Sequence, residues 1–102
     1  MGAIVSPAYT KAAKGQQCTL NIAGVCSYNR ETVVFCHFPN ESGGMAEKSD
    51  DICGGDGCYA CHQVIDNPGS NEHFEQHRAW YLMRSMVRTI RRRIEQGVVT
   101  IK

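Results

Sequence analysis

Apolar and polar positions keep a clear period over one long stretch of the chain. From about Glu72 to Gln96, Met83, Met86, Val87, Ile90 and Ile94 recur at helical spacing, which predicts one long helix with an apolar stripe. Gly97 then suits the residue just past a helix end. Val98 to Ile101 could add an edge strand. Upstream, Thr32-Val33-Val34-Phe35-Cys36-His37-Phe38 is β-branched and aromatic and predicts the best strand, ended by Pro39. Thr19 to Ile22 alternates and predicts a shorter strand, and Ala23 to Cys26 reads as a turn. Tyr59 to Asp66 predicts a helix stopped by Asn67-Pro68-Gly69. Thr10 to Gln17 suits a short helix broken at Gly15, and residues 1–9 read as a loose arm. Asn40 to Gly57, with Gly43-Gly44 and Gly54-Gly55, reads as a long polar loop of the kind that survives for a function.

At 102 residues the chain is expected to form a single domain, at a size where a metal staple helps a limited core. Its net charge of +1 identifies no partner, but the distribution is uneven. Arg84, Arg88, Arg91, Arg92 and Arg93 crowd the C-terminal helix, while Glu41, Glu47, Asp50, Asp51, Asp56 and Asp66 occupy the middle. Met1 to Thr10 is too short and too polar for a signal peptide, and no apolar run is long enough to span a membrane.

The six cysteines change the picture most. Cys58 and Cys61 form a C-x₂-C pair leading into the predicted helix, and Cys18 with Cys26 forms a second pair upstream. Two separated pairs closing one tetrahedral site is the pattern of structural zinc rather than of a secreted disulfide framework. Cys36 is read as a small buried residue in the strand and Cys53 as a free thiol.

His62 follows the second pair directly, and Asp66 lies one helical turn further on the same face. A strand histidine, His37, opposite a helix His/Asp pair is the set of groups a one-metal phosphodiesterase needs. His73 and His77 are also four apart, but their polar surroundings suggest a solvated first turn. Arg84, Arg88 and Arg91 share a flank of the long helix and suit a phosphate backbone, although such a run can equally be a solvated face or pair with the acidic loop.

These residues together resemble the His-Asn-His endonucleases, and more closely the YbcO family of small nucleases of phages and prophages. The matching segments are Lys11 to Cys18, Ile22 to Cys26, Glu31-Thr32-Val33 with His37, then Lys48, Asp51 and Cys58 to Asp66. The resemblance implies an α+β fold: a small zinc-stapled, treble-clef-like ββα-metal core over residues 18–66, with a basic amphipathic helix over 72–96. It implies His37 as general base, His62 and Asp66 as ligands of a catalytic magnesium or manganese, and Cys18, Cys26, Cys58 and Cys61 as ligands of structural zinc. Asp51 is the positional candidate for a loop residue that orients the base, ahead of Asn40. Two positions depart from many relatives: Cys36 precedes the base, and the helix ends its motif with Asp66 instead of histidine.

The resemblance implies hydrolysis of phosphodiester bonds in duplex or branched DNA, in phage replication, recombination or packaging, within the cytoplasm of a bacterial host. A non-catalytic zinc module that binds nucleic acid is the alternative. A zinc-stabilised adaptor is a third reading, and it would carry an exposed apolar patch.

Overall fold

The computed structural model describes residues 3–39 and 50–102. Expectations placed on Asn40, Glu41, Gly43-Gly44, Glu47 and Lys48 lie outside the described residues. The described elements are α1 (Pro7–Lys11), a single 3₁₀ turn (Arg30–Thr32), β1 (Val34–His37), β2 (Gly54–Gly57), α2 (Tyr59–Asp66), α3 (Glu72–Gln76) and α4 (Arg78–Glu95). This is a small α+β arrangement in which two antiparallel strands are followed by a helix, a ββα order.

The strand β2 replaces the end of the expected polar loop. Its sequence Gly-Gly-Asp-Gly has no strand propensity, yet Val34 to His37 pair in register with Gly57 to Gly54. Crowding explains the glycines. A Cβ at Gly57 would stand 2.7 Å from Leu20 Cδ1 and 2.8 Å from Cys36 Sγ. One at Gly55 would collide with Ser85 Oγ, and one at Gly54 with the Cys36 carbonyl. The strand therefore packs through its backbone, and its neighbours approach it directly.

That packing reverses the expected orientation of the long helix. The face of α4 turned inward carries Tyr81, Ser85, Thr89 and Arg93, all buried. Thr89 Oγ1 accepts from the Asp56 N–H at 3.2 Å, and Thr19 Oγ1 meets Ser85 Oγ at 2.6 Å and donates to the Asp56 carbonyl at 2.9 Å. Small hydroxyls are needed because the partner is a polypeptide backbone with groups to satisfy. Of the expected apolar stripe, Met83, Val87 and Ile94 are exposed, Ile90 is half-buried and Met86 packs against the core; Trp80 is exposed as well.

Asp56 anchors the contact. It is fully buried, and both its oxygens bond the guanidinium of Arg93, also fully buried, with Arg92 Nη1 adding a bond at 2.7 Å. Arg93 Nε donates to the Tyr9 carbonyl at 2.6 Å, which brings in α1.

Residues 3–9 are correspondingly not a loose arm. Ser6 caps α1 through its hydroxyl, Pro7 starts the helix, and Tyr9 is buried against Phe35 and the Arg93 guanidinium. The expected helix from Thr10 to Gln17 thus lies earlier, and Gly15 at φ +76° closes the turns behind it.

Three further expectations are corrected. Thr19 to Ile22 is not a strand, although Leu20 and Ile22 are core residues. The C-terminal helix is two helices: His77, at φ −121° and ψ 20°, separates α3 from α4, and Asn71 caps α3. Val98 and Val99 do not form a strand, because their N–H groups bond back to the Arg93 carbonyl around Gly97 at φ +76°. The predicted helix over Tyr59 to Asp66 and the turn at Gly24 appear as read.

Asp56→Ala is expected to destabilise the protein by about 3–5 kcal/mol, since it leaves Arg93 buried without its counter-charge. A urea titration at fixed zinc concentration reads this as a lowered midpoint, and an unchanged midpoint would refute the anchoring role.

Candidate metal and catalytic centre

The sulfur atoms of Cys18, Cys26, Cys58 and Cys61 all lie within 4.8 Å of one another. No disulfide joins them. Two local structures bring them together. The turn after Ile22, with Gly24 at φ +74°, returns Cys26 towards Cys18. Cys58 caps α2, so that Cys61 sits in its first turn.

Backbone and side-chain N–H groups point at the sulfurs. Asn21 N is 3.5 Å from Cys18, Asn21 Nδ2 is 3.4 Å from Cys26, and Ser27 N and Cys61 N are each 3.5 Å from Cys58. Asn21 reaches two of them from a left-handed conformation, φ +44°. A hydrogen bond from Cys61 holds the Cys18 thiol down at about 5, while that same bond and burial push Cys61 up. Burial also raises Cys26, whereas at Cys58 hydrogen bonds from Ser27 and Cys61 outweigh burial and lower the thiol.

Four soft donors at tetrahedral spacing, with N–H groups ready to stabilise thiolate charge, suit zinc. Cys36 is outside the set. It faces the core, and burial raises its thiol to about 12, so it remains a neutral packing residue. Cys53 is half-buried, with its sulfur 3.5 Å from the Phe38 carbonyl.

The predicted catalytic residues form two pairs on the ββα unit. His37 closes β1, and its Nε2 lies 2.8 Å from Asp51 Oδ1. Strand alternation turns Cys36 inward and leaves His37 outside, half exposed and edge-on to Phe35. Asp51 is positioned from the N-terminal segment: Ser6 N donates to its Oδ2 at 2.6 Å, and its own N–H bonds the Ile4 carbonyl at 2.8 Å.

His62 Nε2 and Asp66 Oδ2 stand 3.2 Å apart on α2. Among the described residues, the cysteines are the only set of three or more His, Cys, Asp or Glu ligands gathered this closely. Neither histidine–carboxylate pair belongs to such a set. His62 and Asp66 would offer a hard cation one nitrogen and one oxygen, leaving its other positions to water and phosphate. His73 serves another purpose, since its Nε2 bonds Tyr81 Oη at 2.8 Å.

The arginine flank divides. Arg84 Nη2 donates to the Leu20 carbonyl at 2.8 Å, with its guanidinium 4.3 Å over the Trp80 ring. Arg88 Nη1 bonds Asn21 Oδ1 at 3.0 Å. Both line a cleft of about 530 Å³ beside the cysteine site, together with Tyr28 and Arg30, which sequence reasoning missed. Arg91 is exposed and lines no part of it. Arg92 and Arg93 turn inward to Asp56.

A small α+β protein with, among the described residues, a two-stranded sheet and four clustered cysteines that could hold a metal is the class this fold and site define. The family model described as "Putative nuclease YbcO" matches residues 7–98, and the chain belongs to that family. Two curated relatives, "Putative nuclease YbcO" of Escherichia coli K12 and its counterpart in Enterobacteria phage 82, are each 41% identical over 58 residues. Each match covers 55% of this chain and 59% of the relative, so the chain aligns with little more than half of their length. A solved structure described as a putative bacteriophage protein from Escherichia coli K-12 matches with a TM-score of 0.64 at 29% identity. That match covers 87% of this chain and 99% of the other. No helix among the described residues is long and apolar enough to cross a membrane.

Protein purified without chelators is expected to carry one zinc per chain. Cys58→Ser should lose the metal and unfold, because structural zinc supplies folding free energy. Cys36→Ala, outside the cluster, should keep it. Elemental analysis and circular dichroism check both, and zinc-free native protein would overturn the assignment.

Proposed function

We propose that this chain is a metal-dependent DNA endonuclease of the His-Asn-His type, a ββα-metal domain stapled by zinc and acting in phage DNA recombination, replication or packaging. One observation carries the reading. On a ββα unit, the strand-end histidine His37 is held by a carboxylate, and the following helix presents a His62–Asp66 pair. The family's description as a nuclease supports the same reaction class.

The chemistry follows from the contacts. The Asp51 carboxylate can only accept, so the proton of neutral His37 sits on Nε2 and its Nδ1 lone pair is free to act as base. Water attacks phosphorus as its proton passes to His37 Nδ1. The phosphorus–oxygen bond to the 3′ oxygen then breaks, and that oxygen takes a proton from water, leaving a 5′ phosphate and a 3′ hydroxyl. Asp51 stabilises the imidazolium and fixes its ring. Magnesium or manganese held by His62 and Asp66 would supply charge stabilisation at the phosphate and the leaving oxygen. Arg84, Arg88 and Arg91 would contact the DNA backbone.

A non-catalytic zinc module would need the arginines but neither histidine pair. A zinc-stabilised adaptor would account for the exposed apolar face of α4, but not for His37 held by Asp51.

His37→Ala is expected to reduce plasmid nicking by about 10²–10⁴-fold while leaving zinc and fold intact. His62→Ala and Asp66→Ala should instead raise the magnesium or manganese concentration needed. A folded His37→Ala protein that nicks at the wild-type rate would sink the mechanism.

Arg91→Ala should lower the slope of log affinity against log salt by roughly one unit if it neutralises one phosphate. Arg91 is the clean probe, because Arg84 and Arg88 also brace the loop over residues 19–21. An unchanged slope assigns Arg91 to solvation.

A further inference from the structure

The cleft of about 530 Å³ beside the cysteine site is large enough for one nucleotide, and it is built for an anion. Three guanidiniums, Arg30, Arg84 and Arg88, line it together with Tyr28, Gln17, Asn21 and the Cys18 side chain, and no carboxylate does. Their bonds to the protein leave donors over. Arg88 bonds its described neighbours through Nη1, and Arg30 bonds the Gly15 carbonyl through Nε. Arg84 Nε is buried without a hydrogen-bond partner among the described residues, although the Trp80 ring fixes the plane of its guanidinium.

Tyr28 adds a second kind of contact. It is three-quarters exposed, and its backbone is left-handed at φ +56°, an uncommon conformation for a bulky residue. The loop holds it there, with Asn29 N bonded to Ser27 Oγ and Asn29 capping the 3₁₀ turn that carries Arg30. A ring presented at the mouth of an arginine cleft is the pairing that single-stranded nucleic-acid sites use, with phosphate on the guanidiniums and base on the aromatic face.

We infer that this cleft binds one unpaired nucleotide of a DNA strand, its phosphate held by Arg30, Arg84 and Arg88 and its base stacked on Tyr28. The choice of DNA rests on the nuclease reading. A duplex keeps its bases paired inside and could offer this cleft only phosphate, so the substrate class is DNA with a single-stranded or opened segment beside the cut. The rival account is that Arg84 and Arg88 only latch α4 to the loop over residues 19–21. Tyr28 and Arg30 take no part in that latch, which makes them the test.

The experiment measures binding of a fluorescent oligothymidylate, and of an abasic oligonucleotide of the same length, to the zinc-loaded protein without magnesium or manganese. Tyr28→Ala is expected to weaken oligothymidylate binding roughly ten-fold or more and to leave abasic binding unchanged, since only the base is stacked. Arg30→Ala should weaken both, and lower the salt slope by about 0.7 for one single-strand phosphate. Circular dichroism and zinc content confirm that both variants are folded. Unchanged oligothymidylate binding in folded Tyr28→Ala and Arg30→Ala overturns the inference. So does an equal loss for the two oligonucleotides in Tyr28→Ala. Plasmid nicking by the wild type, run in parallel, separates this result from the nuclease reading. Nicking without cleft-dependent binding removes only the cleft, and cleft-dependent binding without nicking removes only the catalysis.

Discussion

Asp56 and Arg93 are both fully buried, and each makes the other tolerable. A lone carboxylate or guanidinium in that position would carry a desolvation cost of several kcal/mol, offset here by two-pronged bonding and by Arg92. The rest of the architecture follows from this pair. β2 has no side chain except that of Asp56, so apolar packing cannot hold it in place. The ion pair draws α4 against it, and the hydroxyls of Thr19, Ser85 and Thr89 satisfy the backbone exposed by the contact. Arg93 then reaches the Tyr9 carbonyl, so sheet, long helix and N-terminal helix converge on one carboxylate.

The residues proposed as catalytic inherit their positions from two frames. The cysteine cluster fixes the first turn of α2, and His62 follows Cys61 directly, so a bound metal would set the origin of the His62–Asp66 face. The sheet fixes His37 by alternation, since Cys36 must face the core. The N-terminal segment completes the arrangement by bonding Asp51 through the backbone of Ile4 and Ser6. Thus the segment farthest in sequence from α2 is what holds the carboxylate at His37.

Features written in local code were legible from the chain alone. The C-x₂-C spacing, the helix over Tyr59 to Asp66, the His62–Asp66 pair and Gly97 each depend on neighbours a few residues away. The fold departed from the reading wherever a distant partner overrode local preference. Gly54 to Gly57 forms a strand because Leu20, Cys36 and Ser85 leave no room for side chains, a constraint that propensity cannot express. The stripe of α4 was readable, but not its direction, because hydrophobic periodicity assumes an apolar partner and this helix meets a backbone. The arginines looked like one surface run. Only the position of Asp56 separates Arg93, which is structural, from Arg91, which is exposed. Tyr28 and Arg30 sit in a loop with no period at all, and left-handed backbone at Tyr28 is not encoded by residue type.

The distance along the chain between the two buried charges bears on how the protein is made. Arg93 follows Asp56 by 37 residues. On a translating ribosome the glycine strand therefore emerges with its carboxylate still in water and nothing to draw it inside. All four clustered cysteines precede Arg93, so metal can close the front half of the chain while the strand waits. A metal bound by those cysteines would stage folding during synthesis by element order, closing that cluster first and leaving the sheet to be sealed when the last helix arrives.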